Sequence, residues 1–106
     1  GLAPDIYSVS ASKNPAYNET TFIVSHNYMG SNVDVEIEVF DMSGHLLWHH
    51  VESGVSSGNA ISTNWNLIVD NGTRLQTGVY LYRVRLSCDG ATKVSKAKKL
   101  IVLDNK

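Results

Sequence analysis

His45, His49, His50, Cys88 and the carboxylates of Asp34, Glu36 and Glu38 are the side chains whose types and spacing could support chemistry. Metal binding is the first candidate. On an extended strand the adjacent His49 and His50 point to opposite faces and cannot easily share an ion. His45 and His49 can lie on one face, but zinc takes three or four protein ligands, and no Cys or acidic spacing completes the set. Exposed strand histidines without a metal are the expectation. Cys88 is the single cysteine, so no internal disulfide can form, and no partner marks it as an activated thiolate. Nucleophilic catalysis needs a nucleophile, a base and an orienting group held together. The serines fall in loops and turns, and no G-x-S-x-G elbow occurs. Asp34, Glu36 and Glu38 recur at every second residue, which describes the wet face of one strand rather than an acid–base pair. Phosphate cradles of the P-loop or G-x-G-x-x-G type are absent. No catalytic residue, metal or cofactor is expected in this segment.

Binding is the remaining class. Trp48 and Trp65, with Tyr7, Tyr17, Tyr28, Tyr80 and Tyr82, are either a sugar-stacking platform or the aromatic packing of a sheet protein. A formal net charge of -1 disfavours nucleic acid as a partner. That small number hides a polarity: residues 1–53 hold seven acids and one base, and residues 54–106 hold three acids and eight bases. Such a split makes a basic binding surface, or it places acidic and basic strands side by side. On the second reading Asp34, Glu36 and Glu38 face Arg83 and Arg85 across neighbouring strands. Lys93, Lys96, Lys98 and Lys99 crowd the last strand. Edge lysines oppose uncontrolled strand pairing, and they also steer and orient a specific receptor. Asn18-Glu19-Thr20 and Asn71-Gly72-Thr73 match the glycosylation sequon, a pattern too short to carry a role.

The elements that would position these groups are strands. A chain of 106 residues supports one core. No apolar run approaches the roughly 20 residues of a membrane span. The opening GLAPDIYS lacks the basic start and apolar stretch of a signal peptide. Val33, Val35, Ile37 and Val39 alternate with Asp34, Glu36 and Glu38, the period of a half-buried strand. Asp41-Met42-Ser43-Gly44 turns the chain into a second strand from His45 to Val51, giving a hairpin. Further strands are predicted over Ile6–Lys13, Thr20–His26, Ala60–Trp65, Val79–Leu86 and Lys93–Leu103. Asn14-Pro15, a flexible loop at Ser53–Asn59, Asp70-Asn71-Gly72 and Asp89-Gly90 punctuate them. Seven short strands with regular turns and no helix predict an all-β, seven-stranded antiparallel immunoglobulin-like β-sandwich. Residues 1–12 would be a linker and the start of the first strand, with residues 13–106 forming the domain.

Several runs resemble a known family. They are Asn14-Pro15, Thr21-Phe22, Val35-x-Ile37-x-Val39-Phe40-Asp41-x-Ser43-Gly44-x-Leu46-x-Trp48, then Trp65, Asn71-Gly72, Leu75-x-x-Gly78-Val79-Tyr80-Leu81-Tyr82-Arg83-Val84 and Lys99-Leu100-Ile101-Val102. Together, over roughly residues 13–103, they resemble the C-terminal domains of type IX secretion cargo in Bacteroidetes. Gly-Val-Tyr alone recurs in many sandwich folds, so the ordered set is the specific part. The resemblance implies a seven-stranded immunoglobulin-like sandwich that directs its parent through the outer-membrane translocon. It also implies recognition by a PorV-like shuttle barrel and delivery to the cell surface, with no insertion of the domain into the membrane. Within the family the likeness is greatest to the tail of its gingipain-like sortase, whose cysteine-peptidase domain is not in this chain. Gly78, Tyr80 and Lys99 match the positions of the family's terminal motifs. With Lys93, Lys96 and Lys98 they form the candidate partner-binding set, on an edge presented by the last two strands. Asn66-Leu67-Ile68-Val69 departs from the family, where a glycine-rich turn is common. The rival reading is an adhesive or carbohydrate-binding module built on Trp48, Trp65 and surface tyrosines.

Overall fold

The alternation from Val33 to Phe40 sets the architecture. Val33, Val35, Ile37 and Val39 are all buried, while Asp34, Glu36 and Glu38 turn to the opposite face. In the computed structural model, which describes residues 3–55 and 58–104, this segment is the middle of a sheet. The described residues form eight strands and no helix: β1 (Ile6–Ser12), β2 (Thr20–His26), β3 (Asn32–Phe40), β4 (Leu46–Val55), β5 (Ala60–Trp65), β6 (Gly78–Cys88), β7 (Ala91–Val94) and β8 (Lys98–Val102). One antiparallel sheet has the order β1-β2-β5. The other has the order β4-β3-β6, with β7 and β8 following each other along the far side of β6. The apolar faces of the two sheets meet in a single core.

The turn between β3 and β4 forms as its residues predict. Asp41 N–H donates to His45 O and Gly44 N–H to Asp41 O, each at 3.0 Å, while Asp41 Oδ1 accepts from the amides of Ser43 and His45. Gly44 takes φ +89°, a value that a side chain would oppose. The hairpin then runs further than expected. Val33 pairs with Gly54 and Asn32 with Val55, so Ser53–Val55 is strand rather than loop. Ser56 and Ser57 of the predicted loop lie outside the described residues.

The expected strand at Lys93–Leu103 is two strands, which raises seven to eight. Arg85 pairs with Val94, but Tyr82 pairs with Lys98, so the outer ribbon carries one extra residue between these pairs. Ser95 fills the break: its N–H donates to Val84 O at 2.8 Å, and its Oγ accepts from Val84 N–H at 2.9 Å. This is a bulge, which shifts the side chains of β8 by one position relative to those of β7. As a result Leu100 and Val102 enter the core, both fully buried.

Asn66–Val69, the departure from the family pattern, closes one end of the sandwich. Leu67 is fully buried with φ +67°, and Val69 and Leu75 are buried beside it. The Trp65 indole N–H donates to Ile68 O at 2.8 Å, and Asp70 N–H donates to Leu47 O at 3.0 Å. The insertion therefore adds packing surface to the core.

His26 is the one polar ring fully inside this core among the described residues. Its Nδ1 accepts from Tyr28 N–H at 2.9 Å, which makes Nε2 the protonated nitrogen of the neutral ring, and Nε2 has no partner. Burial pushes its pKa below the ordinary 6.5. The unfolded chain then takes up a proton that the folded chain resists, so stability falls as pH drops through about 6.5 toward the lower folded value. Glu36 contributes in the same direction at lower pH. The hydrogen bond from His49, followed by the charges of His49, Arg85 and Arg83, holds its carboxyl below 4.5, and that stabilisation is lost only as acid protonates it. His26→Gln should therefore flatten the decline of the urea midpoint between about pH 6.5 and 5, leaving the steeper loss below it. An unchanged slope across that interval would remove His26 from the account.

Candidate functional site

The outer face of the second sheet carries the charge pattern anticipated from the split composition. Antiparallel register sets Glu36 opposite Arg85 and Glu38 opposite Arg83. Arg83 Nε donates to Glu38 Oε1 at 2.9 Å, and Arg85 Nη1 donates to Glu36 Oε1 at 3.0 Å. Arg83 also lies over the Phe40 ring, 5.0 Å from its centroid. Asp34 takes a different partner, accepting from Ser53 Oγ at 2.6 Å. Glu36 and Glu38 of the acidic half are thus paired with arginines of the basic half across strands, whereas the lysines of the last ribbon meet no carboxylate at ion-pair distance among the described residues.

The histidines are spread along β4 and its turn. His45 meets Asp41 at 2.9 Å, His49 meets Glu36 at 2.6 Å, and His50 meets Glu52 at 3.3 Å. Each has its own carboxylate, and no group of three or more metal-ligating side chains converges among the described residues. The tryptophans are stacked on each other rather than on open solvent. Trp48 and Trp65 lie 4.4 Å apart at 15°, with His50 against Trp48 at 5.4 Å and Phe22 against both. A sugar ring would need a free aromatic face there, so this geometry favours packing over a glycan platform.

The candidate partner-binding residues do not form one patch. Gly78 and Tyr80 pair with Val102 and Leu100, and the half-buried Tyr80 donates its hydroxyl to Gln76 O at 2.8 Å. A methyl group at Gly78 would touch the Tyr80 ring at 3.6 Å. These two residues shape the start of β6. Lys98 reaches inward from β8, and its Nζ donates to Val9 O on β1 at 2.7 Å. Lys99 points to the outer face, where it sits beside Leu81 and next to the exposed pair Val79 and Ile101. Lys93 and Lys96 are exposed and line a groove of about 340 Å³ between β7 and β1.

The backbone edge differs from the open edge expected for the last strand. Residues 14–16 lie parallel to β8 and close it. Ala16 N–H donates to Ile101 O at 2.7 Å, and Leu103 N–H donates to Ala16 O at 2.9 Å. Asn14 holds the other end: its Oδ1 accepts from Ile101 N–H, and its Nδ2 donates to Lys99 O. Arg74 ties the same segment down through Tyr17 O. Sequence reasoning took Asn14-Pro15 as a turn only. The amide of Asn14, able to donate and accept at once, was the available signal for a clamp. The open part of the edge is therefore β7.

These features define a small antiparallel β-sandwich domain closed by its own N-terminal segment. A crystal structure of dimeric latent PorU from Porphyromonas gingivalis superposes on it with a TM-score of 0.88 and 31% identity, over 99% of this chain and 10% of that one. The chain is a PorU-like C-terminal domain, in agreement with its resemblance to the type IX secretion domains, and it spans about a tenth of PorU's length. CopC from Methylosinus trichosporium OB3b shares the fold, with a TM-score of 0.62 and 16% identity over 97% of this chain and 96% of that one. No protein-family profile matches the chain, and no curated protein matches it.

Proposed function

We propose that this domain is a non-catalytic address, a C-terminal signal that takes its parent protein through the type IX secretion system. It then docks the parent to the outer-membrane shuttle barrel at the cell surface. The parent is read as a gingipain-like sortase of a Bacteroidetes bacterium. The observation that carries this reading is the match of nearly the whole chain to a tenth of PorU at 31% identity. The lysines of the last ribbon support it, because the other strand charges already have partners on the sheet. Docking would then fall to the exposed surface of β7 and β8, with Lys93, Lys96 and Lys99 steering the approach. Gly78, Tyr80 and Lys98 would hold that surface in shape. Removing Lys99–Lys106 from the full-length protein, in a cell that carries the system, should abolish surface delivery as followed by protease shaving. Normal delivery of the truncated protein would refute the assignment.

A further inference from the structure

The edge left open by the Asn14 clamp is short and chemically distinct. Ser95 N–H points to β6, where it donates to Val84 O. With the two-residue period of a strand, Lys93 points its backbone the same way, so Thr92 and Val94 direct their N–H and C=O groups away from β6. No described residue pairs with them. Val94 lines the groove whose other wall is Ile6–Val9 of β1, and Thr92 continues the same strand edge beyond it. One step further along the same sheet edge, residues 14–16 already lie beside β8 as an added strand. β1 offers a poorer edge, because Lys98 Nζ occupies Val9 O. Lys93 and Lys96 line the groove and meet no carboxylate within ion-pair distance among the described residues. The apolar contacts available are Val94 and Tyr7, 40% and 61% exposed.

We infer that this groove takes an extended acidic segment of a partner protein, which adds to β7 as a short strand. Its backbone pairs with Thr92 and Val94, its carboxylates at alternate positions meet Lys93 and Lys96, and its apolar residues between them cover Val94. The proposal deepens the docking reading by giving the partner's contribution a chemistry. It remains separable from that reading, because strand addition can be measured without export.

The probe is a blocked nine-residue peptide, Thr-Glu-Val-Glu-Val-Glu-Val-Glu-Thr, titrated into the 106-residue chain and followed by NMR and amide hydrogen exchange. Comparison peptides carry Lys for every Glu, or N-methyl groups on alternate residues. The acidic peptide should bind about tenfold or more tightly than either and should slow exchange at Thr92 and Val94. Val94→Pro removes an outward N–H without touching the bonds to β6, so it should abolish that binding while the remaining spectrum stays folded. Lys93→Glu with Lys96→Glu should invert the preference toward the Lys peptide. Equal binding of the acidic and basic peptides, binding that survives N-methylation, or no binding at all would overturn the proposal. If Val94→Pro loses the peptide but the full-length protein bearing it still reaches the surface, strand addition at β7 holds as a property of the domain, but its use in docking is refuted.

Discussion

Lys96→Glu combined with Lys99→Glu, in the full-length protein, is expected to cut surface delivery by about tenfold or more while leaving the melting temperature of the domain within a degree or two. Both side chains are exposed and neither forms an ion pair with a described residue, so their reversal removes nothing from the core. It takes the four lysines of the last ribbon from a charge of +4 to 0, which removes the field that steers an incoming receptor and sets two carboxylates against it. This substitution separates address from fold, which the truncation at Lys99 cannot do. The truncation also deletes Leu100 and Val102 from the core and strips Asn14 and Ala16 of their β8 partners. Cell fractionation with surface proteolysis, alongside thermal melts of the two proteins, makes the comparison. Delivery that is undiminished would move the docking surface away from the last ribbon.

Phe22→Ala is expected to be the most damaging single substitution, at about 3–5 kcal/mol. Phe22 is fully buried in β2, the central strand of its sheet. Its ring lies 6.1 Å from Trp48, 6.0 Å from Trp65 and 5.2 Å from Tyr82, measured between centroids. Those partners belong to β4, β5 and β6, so this one ring joins both sheets. Truncating it leaves a cavity that the stacked indoles cannot readily fill. A domain of this size has roughly 5–15 kcal/mol of stability in total, and the melting temperature should fall on the order of 15–30 °C. Urea and thermal melts decide it. A loss of under 1 kcal/mol would mean that the aromatic cluster is peripheral to the core.

The repeating features were legible before the coordinates. Val33, Val35, Ile37 and Val39 gave the half-buried strand and its wet face, because a period of two admits only one arrangement against a core. The facing of Glu36 and Glu38 by Arg83 and Arg85 followed from the charge split, since a sheet brings distant strands into register. The bulge at Ser95 was not legible, because one extra residue in a polar stretch leaves the hydrophobic pattern on either side intact. Nor was the burial of Leu67, whose positive φ comes from the end of the sandwich rather than from any local signal. The candidate site divided for the same reason. The four lysines of the last ribbon look alike in sequence, and only the register shift sends Lys98 across to Val9 while Lys99 faces outward. The Asn14 clamp is made across more than eighty residues of chain, so the amide at Asn14 could suggest a clamp but nothing near it in the sequence names Lys99 and Ile101 as its partners.

The address is read as a property of this folded domain and of no other part of its parent. Fusing residues 1–106 to the C-terminus of a reporter that carries its own export signal, in a cell with the type IX system, isolates that property. Fluorescence from a membrane-impermeant label on intact cells is the measurement. A labelled reporter that returns to background when Lys96 and Lys99 are reversed is the predicted result. A reporter that stays behind the outer membrane with the intact domain attached would contradict it.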